Sequence, residues 1–138
     1  MRIVKFAMAL IISSTISASA WAQSSKCPNL DGNWQRQGDS LTILFTQNHA
    51  NCTLSGKSVS SGWNHSISVA KTSEGIYRGT TQRTSIPPKP PCTGYLDATL
   101  KILDSNTISM EASFLSGDTC EGVGPGFRTS SPEIYRRN

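Results

Sequence analysis

Tyr95-Leu96-Asp97-Ala98-Thr99-Leu100-Lys101-Ile102-Leu103, then Asp104-Ser105-Asn106, then Thr107-Ile108-Ser109-Met110-Glu111-Ala112-Ser113-Phe114-Leu115, is the stretch that decides the fold. Side chains of an extended chain alternate between two faces. Ile108, Met110, Ala112 and Phe114 therefore share one face, and Ser109, Glu111 and Ser113 share the other. Asp, Ser and Asn between the two runs are turn residues, because their short polar side chains hydrogen-bond to nearby backbone. The stretch reads as an antiparallel hairpin covered on one side only.

The period of two continues outward from this hairpin. Leu41, Ile43 and Phe45 alternate with Thr42 and Thr46, interrupted only by Leu44, before Asn48-His49-Ala50-Asn51 turns the chain. Similar runs lie at 52–59, 63–70 and 76–83, with another around Trp34 and a last short one ending in Ile134-Tyr135-Arg136. No segment has a helical period. Consecutive hairpins in a short chain close on themselves, since closure removes the unpaired edges that invite aggregation. The expected fold class is all-β, a small up-and-down antiparallel β-barrel of about eight strands rather than a sandwich.

Residues 1–22 read as a cleaved signal peptide. Arg2 and Lys5 supply the positive start, the chain from Phe6 to Ile12 is unbroken apolar sequence, and Ala20-Trp21-Ala22 offers small residues at the cleavage site. The mature chain, 23–138, is then one domain, long enough to bury roughly 65% of the surface its unfolded form exposes. The apolar run is too short to span a bilayer. Cys27 lies behind Gln23-Ser24-Ser25-Lys26 rather than directly after the cleavage site, which argues against a lipid anchor. Periplasmic or secreted localisation in a bacterium of Gram-negative type is expected, with no membrane anchor. Asn51-Cys52-Thr53 and Asn64-His65-Ser66 match the glycosylation acceptor pattern, which is usually silent in bacteria.

An even number of cysteines in an exported chain reads as disulfides. Cys92 and Cys120 stand almost equidistant from the turn at Ser105, so the hairpin register brings them face to face; Cys27 then pairs with Cys52 by elimination. Closing each loop is worth about 3–4 kcal/mol in chain-entropy terms. No C-x-x-C occurs, and a Cys/His zinc site would compete with oxidation, so neither a metal nor any other cofactor is expected. The chain carries 13 basic and 9 acidic residues; without Arg2 and Lys5 the balance falls from +4 to 11 − 9, or +2. So small a charge, spread over scattered residues that read as a solvated surface, excludes nucleic acid as a partner.

Trp63, His65, Ile67 and Val69 alternate onto one face of the fourth strand, which aims His65 into the barrel if Trp63 is core. Trp63 and His65 are candidate ligand-binding residues there, His65 as a polar contact at a cavity mouth; the plainer reading of His65 is a hydrogen-bonded strand histidine. No carboxylate is spaced beside it for acid/base work. His49 falls in a turn and reads as solvated. There is no G-x-S-x-G and no H-E-x-x-H; Gly122-Val123-Gly124-Pro125-Gly126 lacks the lysine and helix of a phosphate loop, and Asp118 with Glu121 is too few carboxylates for calcium. No catalytic residue is assigned. Ile86-Pro87-Pro88-Lys89-Pro90-Pro91-Cys92 is stiff chain with Lys89 as its only charge. Pro88, Lys89 and Pro90 are candidate partner-binding residues, because a pre-ordered loop loses little entropy on docking.

Asp31-Gly32-Asn33-Trp34 near the mature N-terminus, with Arg136-Arg137 near the other end, resembles the calycin pattern of lipocalins, avidins and small bacterial protease inhibitors. In those families a G-x-W opens the first strand and its Trp plugs the closed end of the barrel under a basic residue of the last strand. The resemblance implies that role for Gly32 and Trp34, with Arg136 or Arg137 as the cation and Arg136 the first choice. It speaks to fold and leaves function open.

Three readings of function follow. The first is a monomeric, non-enzymatic binding protein of the bacterial envelope, taking a small apolar ligand or an envelope protein at its barrel mouth or Pro-rich loop. The second is a periplasmic inhibitor of a protease or other hydrolase, acting through that loop or the segment Gln23-Ser24-Ser25-Lys26. The third, a small hydrolytic enzyme, lacks a catalytic pair. The state of the lumen, filled or hollow, decides whether a small ligand is feasible.

Overall fold

A computed structural model describes residues 27–138. The leader, its cleavage after Ala22 and the segment Gln23-Ser24-Ser25-Lys26 lie outside the described residues. The chain forms β1 (Gly32–Arg36), β2 (Thr42–Asn48), β3 (Thr53–Ser60), β4 (Trp63–Ser73), β5 (Ile76–Ser85), β6 (Thr93–Asp104), β7 (Thr107–Gly117) and β8 (Glu133–Arg137). Each strand pairs antiparallel with the next, and β8 returns to β1, closing an up-and-down barrel in sequence order.

The turn sets Asp104 opposite Thr107; a register shift that leaves Leu103 over then brings Ile102 opposite Ile108 and Leu100 opposite Met110, so that the apolar faces meet. Pairing runs on through polar residues to Gly94 opposite Gly117, because Asp118 N donates to Thr93 O and Thr93 N to Asp118 Oδ2. Phe114 keeps its phase opposite inward-facing Leu96, half-buried, with its N–H bonding Phe127 O; beyond it a register shift leaves Leu115 over before Tyr95 faces Ser116. Such an extra residue kinks a strand and re-aims its side chains.

One end of the barrel is packed solid. Trp34 and Tyr77 are both 0% exposed, and Leu30, Phe45, Leu54, Leu100 and Ile108 pack with them. Gly56 makes room for this packing, since a Cβ there would lie 2.6 Å from the Phe45 ring. Trp34 Nε1 donates to Leu30 O at 3.0 Å, and the Arg137 guanidinium lies 4.6 Å from the indole centroid. The cation over Trp34 is therefore Arg137 and not Arg136. Tyr135 points inward on β8, so strand alternation turns Arg136 out to solvent and Arg137 back in.

Cys27 bonds Cys52 and Cys92 bonds Cys120. The first bond lies at the packed end, beside the β2–β3 turn. The second lies at the other end, joining the β5–β6 loop to the β7–β8 loop.

Candidate functional site

The other half of the lumen is hollow. A cavity of about 300 Å³ opens there, bounded by Ile43, Ile67, Met110 and Tyr135 where they leave the core, by Leu41 and Leu96 higher up, and by Val123 and Phe127. The last two belong to the long β7–β8 loop. That loop is held across the mouth because Thr129 N donates to Ala112 O and Phe114 N to Phe127 O, while Ser113 bridges Arg128. That edge of β7 is free for the loop because β7 follows β8 only as far as Met110.

Polar residues line this space alongside the apolar ones. His65 lies half-buried in the wall, as the alternation of β4 directs, with Nε2 3.1 Å from Ser60 Oγ. Burial holds its imidazole below the ordinary histidine range; the charges of Arg83 and Arg36 push the same way, and Glu133 opposes them. Arg36 reaches in from β1. Its Nη1 donates to Glu133 Oε1 at 3.0 Å, its other nitrogens to Asp39, and these carboxylates raise its pKa. Tyr135 Oη donates to Glu133 Oε2 at 2.8 Å, and burial pushes that phenol above its usual value.

Arg83 enters from β5 directly across from His65. Its guanidinium lies 3.8 Å from the Trp63 ring centroid, and Nη1 donates to Cys120 O at 3.3 Å. Burial lowers its pKa, and the charge of Glu121 opposes that.

Four of the residues singled out from the sequence sit elsewhere. Trp63 points inward but does not line the cavity; Arg83 and Lys89 cover it, and it is 5% exposed. Lys89 is not a free charge on the loop. Its Nζ bonds Glu121 Oε1 at 2.6 Å, and its stem crosses Gly62, where a Cβ would lie 2.1 Å from Lys89 Cε. Pro88 and Pro90 are exposed, on a loop with a cis Pro87-Pro88 bond that Ser85 N to Cys92 O and Ile86 N to Gly62 O close off. Trp63, Lys89 and Pro90 instead border a separate cleft beside Cys92 and Cys120. At the packed end, His49 pairs with Asp31 Oδ2 at 3.0 Å.

Treating the basic residues as one solvated surface is incorrect for Arg36, Arg83 and Arg137. Parity could have found them. Arg36 and Arg137 lie two residues from inward-facing Trp34 and Tyr135, and Arg83 is in phase with Tyr77 on β5. Val123 and Phe127 carry no such signal, because an irregular loop brings them in.

Fold and site together define a closed eight-stranded antiparallel barrel, solid at one end and hollow at the other. No family model, curated protein or solved structure matches the chain.

Proposed function

We propose that this is a non-enzymatic binding protein, exported to the periplasm or the medium, that holds one small and largely apolar molecule in the hollow half of its barrel. The divided lumen carries this reading: large side chains fill the end around Trp34 and Tyr77, and about 300 Å³ stays open at the other. Small-molecule sites are typically concave and mostly apolar, with a few fixed polar groups. His65, Arg83 and the Arg36–Glu133 pair are such groups here. Two disulfides suit an oxidising compartment. The stacking of Arg137 on Trp34 favours kinship with the calycins.

A hydrolase reading rests on the Ser60–His65 contact. A serine nucleophile needs a base that a third group orients. His65 makes no further hydrogen bond among the described residues, which favours binding over turnover. Of the Pro-rich loop, an inhibitor reading keeps the exposed Pro88 and Pro90, since Lys89 is engaged by its own chain; its other element, Gln23-Ser24-Ser25-Lys26, lies outside the described residues.

Methyl NMR with 1-octanol tests the site. Resonances of Ile67, Leu96 and Met110 should shift, while Leu54 and Leu100 at the packed end stay in place. Ala112→Phe, which fills the cavity, should abolish the shifts in a folded protein. Shifts scattered over the outer surface, or none at millimolar octanol, would sink the reading. Turnover of a short ester that His65→Ala abolishes with the fold intact would replace it with an enzyme.

A further inference from the structure

Arg83 is a cation in the cavity wall without a counter-ion among the described residues. Arg36, its counterpart four strands round the barrel, is neutralised by Glu133 and Asp39. No carboxylate pairs with Arg83 among the described residues, and Glu121, the acid whose charge it feels, is held by Lys89 at 2.6 Å. Of its nitrogens, Nη1 bonds Cys120 O, whereas Nε is buried with no partner and Nη2 makes no hydrogen bond. Buried N–H groups without an acceptor are few in native proteins, and each calls for a reason.

The unused nitrogens are not a random pair. Nε and Nη2 form one edge of the guanidinium, a planar two-donor fork whose spacing matches the two oxygens of a carboxylate. The plane is already fixed. Trp63 packs on it at 3.8 Å, Cys120 O holds Nη1, and the Cys92–Cys120 disulfide holds that carbonyl in turn. An anion arriving here would find Nη2 in place and would reach Nε, which is buried, after a small opening of its surroundings.

Resting on the reading of the cavity as a ligand site, we propose that its ligand is an organic monocarboxylate: a short apolar body lying against Ile67, Leu96, Met110 and Phe127, with its carboxylate on the Nε–Nη2 edge of Arg83. The cavity of about 300 Å³ equals roughly ten water volumes, which suits a molecule of roughly ten non-hydrogen atoms. Glu133, also in the cavity wall, disfavours a second negative group.

Octanoate and 1-octanol differ in the charged head and little else, so calorimetry with both separates this proposal from the reading beneath it. Wild type should bind octanoate about tenfold or more tighter than octanol, since bonds to a charged partner are the stronger ones. Arg83→Met should erase that preference, and Lys57→Met, which removes an exposed outward charge, should preserve it. Arg83→Lys keeps the charge but not the fork, and should lose about tenfold in octanoate affinity. Should Arg83→Met fail to fold by near-ultraviolet circular dichroism, Arg83→Lys decides, and undiminished octanoate binding by it overturns the fork. Equal binding of octanoate and octanol by wild type overturns the carboxylate proposal while sparing the cavity as a binding site. Binding of neither overturns both.

Discussion

Trp34 and Trp63 stand at opposite ends of the barrel, each with an arginine against its ring, and the two contacts do different work. At Trp34 the indole is fully buried and Arg137 also donates to the Asp31 and Asn29 carbonyls. Trp34→Ala should cost about 3–5 kcal/mol in denaturant melts, the range for a large core side chain. Arg137→Ala loses a cation–π contact worth about 0.5–2 kcal/mol. Outward-facing Arg136 should tolerate alanine within about 0.5 kcal/mol. Equal losses for the two arginines would contradict the inward turn of Arg137. His65 gives a second handle at this scale. Its folded pKa is depressed by burial and by Arg83 and Arg36, against Glu133. The unfolded chain therefore takes up its proton first as pH falls, so the stability present above about 6.5 is lost as pH drops through the lower folded value. His65→Gln should remove that part of the fall in thermal midpoint between pH 7.5 and 5.5; an unchanged pH profile would refute it.

Strands were legible from the sequence and loops were not, for a physical reason. Alternation places Ile43, Phe45, Ile67, Val69, Leu100 and Ile108 on the inner face, because a strand has only two sides. The turn at Ser105 also brings Cys92 to Cys120, because the two register shifts between them cancel. Lys89 and Glu121 belong to irregular segments far apart in sequence, and nothing periodic links them. Their meeting follows from the disulfide beside them. This ion pair is half open to solvent, with side-chain exposures of 30% and 56%, so its worth should be small. A double-mutant cycle with Lys89→Met and Glu121→Gln should return a correspondingly small coupling that fades in high salt. Replacing Pro88-Lys89-Pro90 wholesale is a different matter. It also uncovers Trp63, so the thermal midpoint should fall.

At the scale of the whole molecule, the barrel divides into a packed half that supplies stability and a hollow half that supplies a site. The two disulfides fall one to each half. Cys27–Cys52 closes a loop over 25 positions and Cys92–Cys120 one over 28, and chain entropy makes them nearly equal at about 3–4 kcal/mol each. Their structural duties differ. Cys27–Cys52 fastens the N-terminal segment that carries Leu30 into the core, and Leu30 N is held by Gln47 Oε1 at 2.8 Å. Cys92–Cys120 fastens the loop that brings Val123 and Phe127 over the cavity and holds the carbonyl facing Arg83. Paired serine replacements at each disulfide should therefore lower global stability by similar amounts yet diverge in local behaviour. Native-state hydrogen exchange should show the Phe127 and Thr129 amides losing protection only when Cys92 and Cys120 are replaced, because only that change frees their loop. Octanol binding should weaken in the same variant and persist in the other under conditions where both are folded. Identical exchange patterns in the two variants would mean that the barrel opens as a single unit, and the separation of a stabilising end from a binding end would fall with it.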